Sequence, residues 1–156
     1  MNAHFILATV TQAKDGLVST FNAVPDDKLN WKPFDNGRAA LDFFGEVAQT
    51  FKLIANILET RGADGSAAEI FASMRQERAN WSKADALAAM ETHFAHFERV
   101  VGGFSDEQLC EILALPLGSG MTLPLAGWAM MTYRSCISRF AQINYIQTLY
   151  GDFDMH

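Results

Sequence analysis

A chain of 156 residues with 49% hydrophobic and 19% charged residues has the composition of one folded domain spanning residues 1–156, and disorder is excluded. The formal net charge of −6 argues against a nucleic-acid partner, because such binding depends on basic residues that displace counterions from phosphates. The two cysteines, Cys110 and Cys136, lack metal-ligand spacing and are too few for a disulfide framework, so they read as buried thiols in a reducing compartment.

Phe5-Ile6-Leu7 has neither a basic flank nor a small-residue cleavage site, and is not read as a secretory signal. The longest near-apolar run, Leu123 to Met131, is far shorter than the roughly 20 residues of a membrane span. A cytoplasmic protein without membrane contact is the expectation.

Apolar residues recur at helical spacing in four long segments and strand-like alternation is nearly absent, so the chain reads as all-α. The first helix is expected over Ala3 to Ala23, with Leu7, Val10, Leu17 and Phe21 inward and Pro25-Asp26-Asp27 as its stop. In the loop that follows, Pro33 keeps Lys32 extended and Trp31 is placed to plug one end of the core.

The second helix is expected over Arg38 to Thr60, with Phe44, Val47, Phe51, Ile54 and Leu58 on one stripe and Gly62 just past its end. A short helix near Ala67 to Gln76 precedes the third long one, which opens at Ser82 with Asp85 three residues on and Trp81 as a staple. Its buried face is Leu87, Met90, Phe94, Phe97 and Val101, and Gly102-Gly103 ends it. Ser105 with Gln108 starts another helical turn by the same capping logic. Pro116 to Met121 reads as a turn or small hairpin, the fourth long helix begins at about Thr122, and Asp152 to His156 is expected to fray. Long helices joined by long connections, with no internal repeat, suit a four-helix bundle with crossovers.

The most specific pattern lies in the last helix, where Ser135-Cys136-Ile137-Ser138-Arg139-Phe140-Ala141-Gln142 runs into Ile143-Asn144-Tyr145-Ile146-Gln147. This segment resembles the final helix of the DinB-like superfamily of bacterial proteins, in which His-x-x-x-His-x-Gly-Gln precedes the same type of run. The likeness extends back to Trp31-Lys32-Pro33 and implies a DinB-like four-helix bundle with crossover connections and short extra helices.

In that superfamily one His from the second helix and two from the fourth hold Zn or Ni and leave a coordination position open. Here the resemblance puts Glu46, within Phe44-Gly45-Glu46-Val47-Ala48, at the first position and Ser135 and Arg139 at the other two, while Ala141 replaces the Gly. Serine is a weak ligand at neutral pH, and a guanidinium has no lone pair and repels a cation. No metal and no cofactor is therefore expected.

Arg139 shares a helical stripe with Trp128, Cys136, Ile143 and Ile146, so its charge should point inward, where leaving it unpaired would cost several kcal/mol. Glu46 faces it by the superfamily's geometry, so an ion pair with Ser135 as an added hydrogen-bonding group is expected; the competing expectation is an Arg139 turned to solvent.

Asp42, Tyr133, Gln142 and Tyr145 should flank or line the same central cavity, where a tyrosine hydroxyl beside a glutamate has the chemistry of acid–base work. His93, His96 and Glu98 make a replacement metal site conceivable on the third long helix, but Phe94 and Phe97 claim its core face. No Ser-His-Asp, Cys-His or phosphate-loop pattern can be assembled.

Three functions stay open. The first is a protein with a degenerate metal site that binds a small molecule or a partner without a metal, as a homodimer. The second is a transferase- or hydrolase-type enzyme, either metal-dependent and of the thiol-transferase kind that the resemblance implies, or metal-free through Glu46 and Tyr133. The third is a structural homodimer, whose interface is its function.

Overall fold

The computed structural model describes residues 2–117 and 120–156. Its helices are α1 (Ala3–Ala23), α2 (Ala40–Thr60), α3 (Ala67–Arg78), α4 (Lys83–Gly102), α5 (Asp106–Cys110) and α6 (Leu125–Leu149). A 3-10 turn (Asp26–Lys28) follows α1, and strands β1 (Ile112–Leu115) and β2 (Met121–Pro124) lie between α5 and α6.

The four long helices form the bundle: α2 packs on α4 and on α6, and α1 closes the ring against α6 and α4. Each long helix supplies a stripe at three- and four-residue spacing, as in Phe44, Val47, Phe51, Ile54 and Leu58 of α2, all buried. Phe21 and Phe44 stack with ring centroids 3.9 Å apart, and Phe51 meets the edges of Phe94 and Phe97 at 5.3 Å each. Among the described residues, no helix is long and apolar enough to cross a membrane.

Local chemistry sets the helix ends. Ser66, Ser82 and Ser105 each form a full capping box, with Glu69, Asp85 and Gln108. Gly151, at a φ of 96° that side chains disfavour, turns the chain after α6, and the Asp152 N–H returns to the Gln147 carbonyl at 3.0 Å. The Ile143 to Gln147 run of α6 is structural: Ile143 and Ile146 are buried, and the Thr20 hydroxyl of α1 donates to Asn144 Oδ1 (2.5 Å) with Gln147 Oε1 3.0 Å away.

Several expectations need correction. Ile6 rather than Leu7 occupies the first inward position of α1, and Ala86 rather than Leu87 that of α4, because the stripes continue back from Val10 and Met90 by four residues. Arg61, at φ 57°, and not Gly62 holds the left-handed position after α2. Cys110 is exposed, because the short α5 buries only Leu109.

The fourth long helix begins at Leu125, not Thr122. Thr122 pairs with Ala114 in an antiparallel hairpin that runs from Ile112↔Pro124 to Leu115↔Met121, and Pro124 then sits at the N-cap of α6. The expected turn is thus flanked by paired strands, while Gly118 and Ser119 at its tip lie outside the described residues. In the tail, His156 Nε2 lies 2.9 Å from Asp152 Oδ2, a contact between the two ends of the tail itself, while Phe153 and Met155 are 81% and 95% exposed.

Candidate functional site

Asp42 and Glu46 sit one turn apart on α2 and face the space between α3 and α6. Arg139 of α6 reaches Glu46 and donates from both Nε (3.0 Å) and Nη2 (2.5 Å) to Oε1. The other oxygen, Oε2, accepts from Arg38 Nη2 at 2.6 Å, with Arg78 Nη2 of α3 at 3.6 Å. Arg38 Nε and Arg78 Nε donate to the two oxygens of Asp42, at 2.5 and 2.7 Å. Three guanidiniums thus share two carboxylates, and the guanidiniums of Arg38 and Arg139 also lie over the Phe43 ring.

Burial alone would push both carboxyls up in pKa. At Glu46 this is outweighed by the hydrogen bond from Arg139 and the charges of Arg38 and Arg139, and at Asp42 by hydrogen bonds from Arg38 and Arg78, so both are held below their ordinary range. Burial likewise disfavours the charged Arg38, and its bonds to Asp42 and Glu46 more than compensate.

Arg78 is the most deeply placed of the three, with its side chain 5% exposed. Its Nη1 donates to Gln49 Oε1 at 3.0 Å, and Gln49 Nε2 donates to the Met74 carbonyl at 3.0 Å, which ties α3 to α2. Gly45 makes this approach fit: a Cβ there would lie 3.2 Å from Arg78 Cδ and 3.3 Å from the Trp81 ring.

Beside this cluster a cavity of about 500 Å³ opens between α2, α3, the hairpin and α6. Its apolar wall includes Ile54, Ile57, Phe71, Trp128 and Met131. Its polar edge is Glu46 and Thr50 from α2 with Arg134, Ser135, Ser138 and Arg139 from α6. The Thr50 hydroxyl is already committed to the Glu46 carbonyl at 2.8 Å.

The residues singled out from sequence divide on this geometry. Glu46, Ser135 and Arg139 line one cavity, and Asp42 joins the ion network behind Glu46. Ser135 makes no hydrogen bond to the pair, because the Arg139 guanidinium leans toward the C-terminal end of α6, where its Nη1 donates to Gln142 Oε1 at 2.5 Å. Gln142 therefore orients Arg139 from outside the cavity. Tyr133 is elsewhere: it shares a different face of α6 with Ile137 and Phe140, in a cleft against Gln12 and Gly16 of α1. Tyr145 is 66% exposed and lies in a groove with Phe34 and Leu149.

His93 Nδ1 donates to the Ala48 carbonyl at 2.9 Å, and His96 Nε2 lies 2.8 Å from Glu59. Among the described residues, no group of three or more His, Cys, Asp or Glu side chains is placed to hold a metal. Cys136 is buried and its thiol pKa is pushed up to about 12 by desolvation, so it is not a thiolate at neutral pH.

The sequence reading missed the roles of Arg38 and Arg78. Arg38 had a signal, its four-residue spacing from Asp42. Arg78 had none, since its proximity to Asp42 arises only when α3 folds across α2.

No protein-family model matches this sequence, and no curated protein matches it. Solved structures do. The DinB-like protein YjoA from Bacillus subtilis superposes with a TM-score of 0.71 at 13% identity, over 97% of this chain and 95% of that one. YfiT from Bacillus subtilis, described as a probable metal-dependent hydrolase with an unusual four-helix-bundle topology, gives 0.76 at 10% identity, over 96% and 87%. A mutant of the mycothiol-dependent maleylpyruvate isomerase gives 0.77 at 10% identity over 92% of this chain, which spans only 61% of that longer one. At these identities the likeness is one of architecture, and the chain has the DinB-like four-helix-bundle fold.

Proposed function

We propose that this chain is a DinB-like protein with a degenerate metal site, and that it binds a small molecule in the cavity between α2, α3 and α6 without a metal. One observation carries the reading: Glu46, the only metal-ligand type among Glu46, Ser135 and Arg139, has both oxygens engaged by Arg139 and Arg38, with Arg78 close by. A divalent ion would have to displace guanidiniums from the carboxylate and then sit beside their charge, next to a serine that ligates weakly. The donor set does not fit a metal.

What remains is a ligand-sized, mostly apolar pocket with a few converging polar groups, the usual form of a small-molecule site. The test is metal content by mass spectrometry before and after dialysis against excess Zn and Ni. Well under about one-tenth of an ion per chain is expected in both samples. About one tightly held ion per chain would overturn the reading in favour of metal-dependent chemistry, as named for YfiT.

Homodimerisation belongs to the same proposal. Phe34, Tyr145 and Leu149 are exposed together along one groove, and a second copy covering them would remove that apolar surface from water. Sedimentation equilibrium should give twice the chain mass, and Tyr145→Glu should halve it.

A further inference from the structure

The charge around the cavity is opposite to that of the chain. Of its 12 Lys and Arg residues, six (Lys32, Arg38, Arg75, Arg78, Arg134 and Arg139) line the cavity or the two clefts that continue from it past Glu46 and Asp42. Of its 18 Asp and Glu residues, only Asp42 and Glu46 do so, and both are neutralised by the arginines already described. A protein of net charge −6 thus surrounds this one region with cations, which favours an anion over a neutral or cationic ligand.

The hydrogen-bonding capacity left over is also mostly that of donors. Arg134 has no carboxylate within 4 Å among the described residues, and three of the five Arg139 N–H groups are used by Glu46 and Gln142. Elsewhere on these helices the Thr50 and Thr132 hydroxyls bond to backbone carbonyls, whereas those of Ser135 and Ser138 have no partner among the described residues. Arg134, Ser135, Ser138 and Arg139 follow three- and four-residue steps and so form one edge of α6 along the cavity, with Arg134 and Ser138 exposed at its rim.

Facing that edge is apolar surface. Trp128, Ile54 and Ile57 are buried, while Phe71 on α3 leaves half its area in solvent beside the cavity. A ligand with an apolar body would cover Phe71 and one with a single anionic head would meet the α6 edge.

We infer, building on the small-molecule reading above, that the cavity takes an amphipathic organic anion. Its carboxylate or phosphate head is held by Arg134 with Ser135 and Ser138, and its apolar body lies against Phe71, Trp128 and Ile57. The arrangement is that of a charge-assisted clamp at the rim of an apolar slot.

Calorimetric titration of the metal-depleted protein with decanoate, decyl phosphate, decanol and decyltrimethylammonium tests this. The two anions should bind at least about tenfold more tightly than the alcohol, and the ammonium should bind least. Whichever anion binds better identifies the head. Arg134→Gln should weaken the anions about tenfold and leave decanol unchanged, Arg134→Glu should weaken them further, and Arg99→Gln on α4 should change nothing. Because Arg134 is exposed, these variants should keep the wild-type fold, checked by circular dichroism. Decanol binding as tightly as decanoate, or an Arg134→Gln protein with unchanged anion affinity, would overturn the anion assignment while sparing the small-molecule reading. If none of the four probes binds, both fall.

Discussion

Arg139 and Glu46 meet across the seam between α2 and α6 in an unequal way: two guanidinium N–H groups converge on a single carboxylate oxygen. The second oxygen is thereby left to Arg38, and Arg78 approaches it from α3. Glu46 is the node at which three separate pieces of chain are held together, whereas Arg139 is one spoke that also leans on Gln142. The two partners of one ion pair therefore have different structural weight.

The asymmetry appears in stability. The Glu46 and Arg139 side chains are 19% and 23% exposed, so solvent screens them only in part. Glu46→Ala leaves three guanidiniums short of a partner and should cost about 3 kcal/mol, whereas Arg139→Ala leaves Glu46 still bonded to Arg38 and should cost about 1 kcal/mol. Urea unfolding at neutral pH measures both. Equal losses would mean that the network is a simple pair and Glu46 is not its node.

Acid should dissolve the same network. Asp42 and Glu46 have folded-state pKa values below those of the unfolded chain, because arginine hydrogen bonds and charges outweigh the effect of burial. Protons therefore bind the unfolded chain more readily in that range, and the stabilisation is full above the unfolded carboxylate values and lost as pH falls through the folded ones. The contribution of the network should hold from pH 7 down to about pH 5 and decline below about pH 4. In a Glu46→Gln protein the decline should be shallower, and an unchanged slope would place the acid sensitivity elsewhere.

His93 contributes at higher pH. Desolvation, chiefly, lowers its pKa below 6.5, opposed by its bond to the Ala48 carbonyl. The neutral ring is the form the fold accepts, so stability is complete above the unfolded histidine value and falls as pH drops from about 6.5 toward the folded one. Thermal melts between pH 7.5 and 5.5, a range chosen to bracket the ordinary histidine pKa of about 6.5, should show a decrease that His93→Gln removes.

What the sequence revealed depends on the range of the interaction. The three serine capping boxes involve residues three apart, and they form at Ser66, Ser82 and Ser105. The inward turn of Arg139 follows from helical periodicity, whereas its meeting with Glu46 was implied by the superfamily resemblance, which set those positions of the second and fourth long helices face to face. Tyr133 was expected at the cavity, but it lies two residues before Ser135, a turn of about 200° along a helix, and so falls on the α1 face. Arg78 was invisible because α3 is short and polar, with only Met74 and Arg78 buried, and its course across α2 is set by tertiary contacts. The strand at Thr122 was missed for a similar reason: four residues form a strand there only because β1 pairs with them.

Arg78 links the network to access to the cavity. Helix α3 supplies Phe71 and Ile70 to the cavity wall, but it buries little apolar surface of its own, so its docking on α2 relies heavily on the bonds from Arg78 to Asp42 and Gln49. Removing Arg78 also leaves the buried Gln49 oxygen without that donor, so Arg78→Ala should cost about 2–3 kcal/mol. The loss should be local before it is global. Amide hydrogen exchange across residues 67–78 should accelerate by more than about tenfold while α1 and α6 change little, because regions held by few contacts open independently of the core. Arg75→Ala, at an exposed residue three positions earlier on the same helix, should leave exchange unaltered. Uniform acceleration across all four long helices would mean that α3 unfolds only with the bundle, and that the cavity wall is as rigid as the core behind it.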